Sequence, residues 1–397
     1  MDFIRKGYST LKSRIEEPRK FIQVIAGPRQ VGKTTLVEQV LNSITIPYSS
    51  EVADSISPDD SDWIRRIWES ARSAMSLRKE SEWLLVIDEI QKIDNWSEAV
   101  KREWDADSRN RINIKVILLG SSRLLIRKGL TESLAGRFEL IRLGHWSLHE
   151  MQEAFGVTLD EYVYFGGYPG PASYINDMRR WKKYIKDSLV RPSIEKDVIL
   201  TSNIYKPALM KRLFELGCHY SGEILSLTKI MGRLQDAGNV TTLANYLDLL
   251  NECNLLTGLQ KYAKDNARKY SSIPKYQVYN NALMTAFKGT SFEKDRLEPQ
   301  TWGRWVESAV GAHLLSMADE LEYKVYYWRE KDDEVDFVVV SEAGCIAIEV
   351  KSGRRGMNSG LPKFVKAFHP SRSFVVGSHG VMLEDFLNGD LESLIYS

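Results

Sequence analysis

Gly27-Pro28-Arg29-Gln30-Val31-Gly32-Lys33-Thr34 is a complete phosphate-binding loop, and its surroundings decide the fold of the first part of the chain. The apolar, β-branched run Phe21-Ile-Gln-Val-Ile-Ala26 before it predicts a buried strand, and Thr35-Leu-Val-Glu-Gln-Val-Leu41 after it has helical spacing. Strand, glycine loop and helix, in that order, are the context in which this motif carries chemistry. The glycines let backbone N–H groups wrap a polyphosphate, Lys33 neutralises β/γ charge, the Thr34 hydroxyl holds Mg²⁺, and the helix N-terminus turns its positive dipole end to the anion.

A second segment completes the site. In Trp83-Leu-Leu-Val-Ile-Asp88-Glu89-Ile-Gln91 an apolar run leads into two adjacent carboxylates, as at the C-terminal tip of a buried strand. Asp88 is expected in the Mg²⁺ shell, with Glu89 orienting or deprotonating the attacking water. A third strand, Lys115-Val-Ile-Leu-Leu-Gly120, ends in Ser121-Ser122. Ser121 reads either as a γ-phosphate sensor or as the N-cap of the next helix, roles that are compatible. Arg137, in Leu134-Ala-Gly136-Arg137-Phe138, precedes the strand Leu140-Ile-Arg-Leu143. It is either an arginine finger for a neighbouring subunit's nucleotide or a surface arginine, and Arg29 competes with it for phosphate contact. The expected nucleotide-binding set is therefore Gly27 to Thr34, Thr35, Asp88 and Ser121, with Thr34 and Asp88 on the metal.

Bulk properties frame this reading. A chain of 397 residues is long for one core and predicts two or three domains. No stretch reaches the length of a membrane span, and the N-terminus lacks the apolar core of a secretory signal. The three cysteines, Cys218, Cys253 and Cys345, are too few and scattered for a disulfide framework or zinc site, so a cytoplasmic protein with no membrane contact is expected. Lys plus Arg number 54 against 53 Asp plus Glu, so any polyanionic partner must be met by local patches.

The combination of Gly-Pro-Arg-Gln-Val-Gly-Lys-Thr, Asp-Glu-Ile-Gln-Lys-Ile-Asp-Asn-Trp, Leu-Gly-Ser-Ser and Leu-Ala-Gly-Arg-Phe resembles a prokaryotic AAA-type ATPase family whose members carry an uncharacterised C-terminal domain. The resemblance spans most of the chain. It implies an α/β P-loop core with a helical lid, a winged-helix middle domain and a restriction-endonuclease-like α/β domain at the C-terminus. The corresponding boundaries are 1–146, 147–206, 207–288 and 289–397. The polar stretch Asp54 to Asp62 and the pair His145-Trp146 depart from the family pattern without touching the expected chemistry.

Residues 147–200 are helical in pattern, broken by the Gly/Pro corner Phe165-Gly-Gly-Tyr-Pro-Gly-Pro171. Arg179, Arg180, Lys182 and Lys183 around Trp181 read as a solvated helix face, or else as a nucleic-acid contact. From about 207 to 280 three helices precede two extended segments, Asn254–Tyr262 and Tyr276–Tyr279, in winged-helix order. Thr241-Thr242 are expected to cap the third helix, whose Asn245, Asp248, Asn251 and Glu252 point outward and would repel phosphates. Basic residues fall on the wing instead, at Lys261, Lys264, Arg268 and Lys269. That favours a packing or protein-contact role over base reading.

A polar stretch, Gly289 to Pro299, leads to a second constellation. Glu307 lies on the amphipathic helix Trp305–Leu315, Asp336 on the strand Val335–Val340, and Glu349 and Lys351 share a face of Cys345–Lys351. An Asp on one strand and Glu-x-Lys on the next repeat the PD-(D/E)xK nuclease pattern. Asp336, Glu349 and Glu307 are the expected Mg²⁺ or Mn²⁺ ligands, and Lys351 the group that orients water or stabilises charge. Arg354, Arg355, Lys363, Lys366 and Arg372 follow as a basic run suited to DNA. Two readings result. One is a Mg²⁺-dependent ATPase, catalysed through Glu89 and Arg137, coupled to a DNA-acting nuclease of Asp336, Glu349 and Lys351. The other is an ATP-dependent regulatory switch with an inactive nuclease-like domain, acting with a protein partner or as a homo-oligomer.

Overall fold

β1 (Ile22–Ala26) is buried along its whole length because parallel strands flank it on both sides. Its neighbours are β4 (Ile114–Gly120) and β5 (Phe138–Arg142). β3 (Trp83–Asp88) lies beyond β4, and β2 (Tyr48–Val52), with alternate residues exposed, forms the edge. The resulting five-stranded parallel sheet has the order β2-β3-β4-β1-β5. The computed structural model describes residues 3–120, 133–199, 204–234, 239–263, 272–352, 360–377 and 380–396.

Alternation along the strands feeds two cores. Val24, Leu85, Ile87 and Leu118 meet helices Asp62–Arg78 and Trp96–Asn110 through Ile64, Trp68, Val100 and Trp104. Ile25, Leu84, Val86 and Leu119 meet helices Tyr8–Glu16 and Lys33–Leu41 through Leu11, Ile15, Leu36 and Val40. The second of these helices begins at Lys33, two residues before the expected start, so the loop lysine and threonine belong to its first turn. All the strands run the same way, so their C-terminal ends gather Gly27 to Gly32 and Asp88 along one edge, where ligands bind in open α/β sheets.

The chain divides into two compact units, Met1–Gly144 and His145–Ser397. The second opens with helices Leu148–Phe155 and Leu159–Phe165, each started by a capping box (Ser147 with Glu150, Thr158 with Glu161). At the Gly/Pro corner, Gly166 has a φ of 70° and a Cβ there would lie 1.9 Å from Asn280 Oδ1. The Gly167 N–H donates to the same oxygen at 3.2 Å, so the corner is a packed joint. Helix Met178–Lys183 continues as π-helical turns Tyr184–Val190 and Ser193–Ile199. Its Trp181 is buried and Lys182 donates to the Gly289 carbonyl at 2.5 Å, so this turn is only partly the solvated face expected.

Helices Pro207–His219, Leu227–Met231 and Val240–Glu252 precede an antiparallel pair, β6 (Leu256–Leu259) and β7 (Lys275–Val278). The third helix is capped by Asn239, whose Oδ1 accepts from the Thr242 N–H at 2.8 Å, in place of the expected threonines. Of the four residues expected outward on it, Asn245 and Asp248 are exposed. Asn251 and Glu252 are half-buried, Asn251 accepting from the Tyr279 hydroxyl at 2.8 Å. Lys264, Arg268 and Lys269 lie outside the described residues, as do Ser121, Arg354 and Arg355.

Helices Asn281–Lys288 and Phe292–Leu297 lead to helix Pro299–Met317. The polar stretch 289–299 is thus partly helical, and its Asp295 is buried against the Tyr164 hydroxyl at 2.7 Å. A four-stranded sheet follows in the order β11-β10-β9-β8. β8 (Lys324–Glu330), β9 (Asp333–Ser341) and β10 (Gly344–Lys351) are antiparallel. β11 (Arg372–Gly377) runs parallel to β10 after the crossover helix Gly360–Phe368. Helices Leu383–Asn388 and Leu391–Tyr396 end the chain. No helix among the described residues is long and apolar enough to cross a membrane.

Candidate functional site

The loop between β1 and its helix is shaped by close backbone contact. The Leu143 N–H donates to the Ala26 carbonyl, and a Cβ on Gly27 would lie 2.2 Å from the Leu143 oxygen. Only glycine lets β5 approach this closely. Gln30 and Gly32 have φ of 58° and 87°, the second at the helix N-cap. Pro28 and Val31 are buried, Arg29 is half-buried, and Gln30, Thr34 and Thr35 are exposed. The Lys33 ammonium donates to the carbonyls of Gly27 (3.0 Å) and Pro28 (2.7 Å), which places its charge inside the loop.

Across the strand tips, the Thr34 hydroxyl donates to Asp88 Oδ2 at 3.0 Å. Burial raises the Asp88 pKa, while the hydrogen bonds from Thr34 and from the Glu89 N–H (2.7 Å to Oδ1) oppose that shift. Glu89 turns the chain with a φ of 54°, an uncommon conformation for a residue with a side chain. Its carboxylate accepts from Gln91 Nε2 at 2.5 Å, so Gln91 orients it. Hydroxyl and carboxylate oxygens side by side next to an ammonium-bearing loop are the donor set that Mg²⁺ with a nucleotide phosphate requires, and these residues fit that group.

Arg5 supports this loop and was not singled out in the sequence. It is 3 % exposed; its Nε donates to the Val31 carbonyl at 3.1 Å and its Nη2 to the Gly144 carbonyl at 2.9 Å. The partners lie 26 and 139 residues away, so no local pattern marks it. Arg137 is gripped by Asp105 through Nε (2.8 Å) and Nη2 (3.0 Å). To serve a neighbour's nucleotide it would have to release that carboxylate.

The second constellation lies within the His145–Ser397 unit. Lys351 Nζ is 2.7 Å from Glu349 Oε1, so the Glu-x-Lys pair is an ion pair on one face of β10. Burial alone would lower the Lys351 pKa, and the carboxylates of Glu349, Asp336 and Glu307 raise it. Asp336 Oδ2 accepts the Val350 N–H at 2.7 Å, capping the β9–β10 ladder. The acids do not stand open to a metal, because Lys275 of β7 is among them. Its Nζ is 2.6 Å from Glu307 Oε1, 3.1 Å from Glu334 Oε1 and 3.6 Å from Asp336 Oδ1. Among the described residues, no three His, Cys, Asp or Glu side chains are arranged to hold a metal ion. The residues here do not fit a divalent cation while the ammonium is present. Lys275 and Glu334 escaped the sequence reading, Lys275 because it sits 32 positions or more from every acid it meets.

Of the basic run, Lys363 pairs with Asp333, and Arg372 Nη1 donates to the Leu394 carbonyl at 3.2 Å.

Comparison with known proteins divides the chain in three. Residues 19–152 match an AAA domain, residues 157–294 a domain of unknown function (DUF8612), and residues 302–383 another domain of unknown function (DUF4143). An uncharacterized protein of Methanocaldococcus jannaschii is 25% identical over 348 residues, covering 81% of this chain and 72% of that protein. One of Mycobacterium tuberculosis is 26% identical over 349 residues, covering 86% and 73%. Among solved structures, Thermotoga maritima RuvB variants are similar over 64% of this chain and 86–90% of theirs, at 14–17% identity and TM-scores of 0.34–0.36. Residues 19–152 match the AAA domain and contain the P-loop.

Proposed function

We propose that this chain is a Mg²⁺-dependent ATPase whose second unit acts as a binding module in a nucleotide-driven switch. The observation that carries the ATPase reading is the 3.0 Å contact between Thr34 and Asp88 beside the Lys33-filled loop. Thr34 and Asp88 would hold Mg²⁺, which would supply positive charge to neutralise the negative charge that develops during phosphoryl transfer. Lys33 would exchange the Gly27 and Pro28 carbonyls for phosphate oxygens, and the N–H groups of Gly27 to Thr35 would cradle the rest of the polyphosphate. Glu89, oriented by Gln91, would take a proton from the attacking water. Ser121 as sensor and Arg137 as a finger in a homo-oligomer belong to the same proposal.

For the second unit, the order helix–β8–β9–β10–helix–β11 supports a restriction-endonuclease-like sheet, and three helices with the β6–β7 pair support a winged helix. A DNA-cutting site of Asp336, Glu349 and Lys351 with Glu307 needs a metal among acids that Lys275 already neutralises. That ammonium favours a non-cutting module that contacts a protein or DNA in the cytoplasm.

The test is Glu89→Gln. Loss of the base should lower kcat by about 100-fold or more while ATP is retained. Turnover at the wild-type rate would remove Glu89 from the mechanism.

A further inference from the structure

Lys275 is fully buried, and its charge is surrounded on several sides. Glu307 from helix Pro299–Met317 and Glu334 and Asp336 from β9 place carboxylate oxygens 2.6, 3.1 and 3.6 Å from Nζ, and the Asp336 carbonyl lies 3.4 Å away. The Phe337 ring centroid lies 5.2 Å from the same nitrogen. These distances suit an ammonium; Mg²⁺ holds its oxygens at about 2.0–2.1 Å. Burial would lower the Lys275 pKa, and the Glu307, Asp336 and Glu334 carboxylates raise it.

The strand that carries the lysine is also held in place. Two residues along β7, on the same face, Gln277 Nε2 donates to the Ser308 carbonyl at 2.9 Å, one residue from Glu307. Gly311, one turn on, is pressed against Gln277: a Cβ there would lie 2.4 Å from Gln277 Oε1. The Ser221 and Ser308 hydroxyls add a 2.9 Å contact, and Ser221 Oγ accepts the Val278 N–H at 3.2 Å. Strand β7 and the Glu307 helix are clasped together, which holds the backbone that carries Lys275 against the helix that carries Glu307. The lysine comes from the stretch matching one domain of unknown function and its acids from the stretch matching the other.

We propose that Lys275 is the resident cation of the Glu307–Glu334–Asp336 cluster and that its ammonium closes this site to metal in the folded chain. The inference deepens the non-cutting reading of the second unit and rests on it. Three oxygen-donor side chains converge on the ammonium, and removing it would leave their charge for another cation.

Mn²⁺ binding to the full-length, nucleotide-free chain, read by the electron paramagnetic resonance signal of free Mn²⁺, tests this. Wild type and Asp336→Asn should bind Mn²⁺ alike, since the substitution keeps an oxygen for the Val350 N–H and the wild-type site holds no metal. Lys275→Met should gain one site, at least about tenfold tighter than any wild-type binding, and lose it again in Lys275→Met/Asp336→Asn. Asp336-dependent Mn²⁺ binding by the wild type would overturn the proposal without recourse to any Lys275 variant. So would a folded Lys275→Met chain that gains no site. DNA cleavage is a separate readout: cleavage that survives Asp336→Asn would defeat the non-cutting reading and leave the Lys275 result standing.

Discussion

Gly27 shows how much of the P-loop rests on one missing methyl group. A Cβ there would collide with the Leu143 carbonyl, so Gly27→Ala must push β5 from β1 or distort the loop. Overpacking of this kind costs about 1–3 kcal/mol, and urea unfolding should show it together with weakened ATP binding. An alanine variant with unchanged stability and affinity would mean that the approach relaxes at no cost. Lys33, Thr34, Asp88 and Glu89 were legible in the sequence because their chemistry is local: a loop motif, and a carboxylate pair at a strand tip. Arg5, Glu334 and Lys275 were not. Each looks like an ordinary charged residue until the fold brings its distant partners to it, and a lysine in Lys-Tyr-Gln-Val reads as surface until both faces of its strand are covered.

At the scale of elements, apolar runs located β1, β3, β4, β5, β9 and β10, since burial leaves a direct trace in side-chain type, whereas β2, β8 and β11, with exposed or half-buried positions along them, were not located. Ends were harder. Thr241 and Thr242 have the right chemistry for a cap, yet Asn239 lies one residue before the first helical turn and accepts the Thr242 N–H. The stretch 289–299 is polar in composition and still packs, because Asp295 finds the buried Tyr164 hydroxyl and the Thr290 N–H (2.7 Å). The clasp between β7 and helix Pro299–Met317 yields its own prediction. Gly311→Ala would drive a methyl group into Gln277 and Phe337 and should destabilise the second unit by about 1–3 kcal/mol, seen as a lower denaturant midpoint. A midpoint equal to wild type would show that the clasp has room to spare.

For the molecule as a whole, a globally balanced charge hides two strongly organised sites, one in each unit. In the first, a cation and carboxylate are arranged to receive a charged ligand; in the second, the same kinds of group have neutralised one another. That difference is what favours the proposed switch over the nuclease reading, and spacing alone could not show it, because the Asp, Glu-x-Lys pattern is intact while Lys275 lies outside it. Nucleotide chemistry at the loop underlies both readings. Its most direct test is steady-state phosphate release from Mg·ATP by the wild-type chain beside Lys33→Ala. Turnover in the wild type, absent without Mg²⁺ and lost together with ATP binding in Lys33→Ala, is the predicted result; equal phosphate release by both proteins would contradict it.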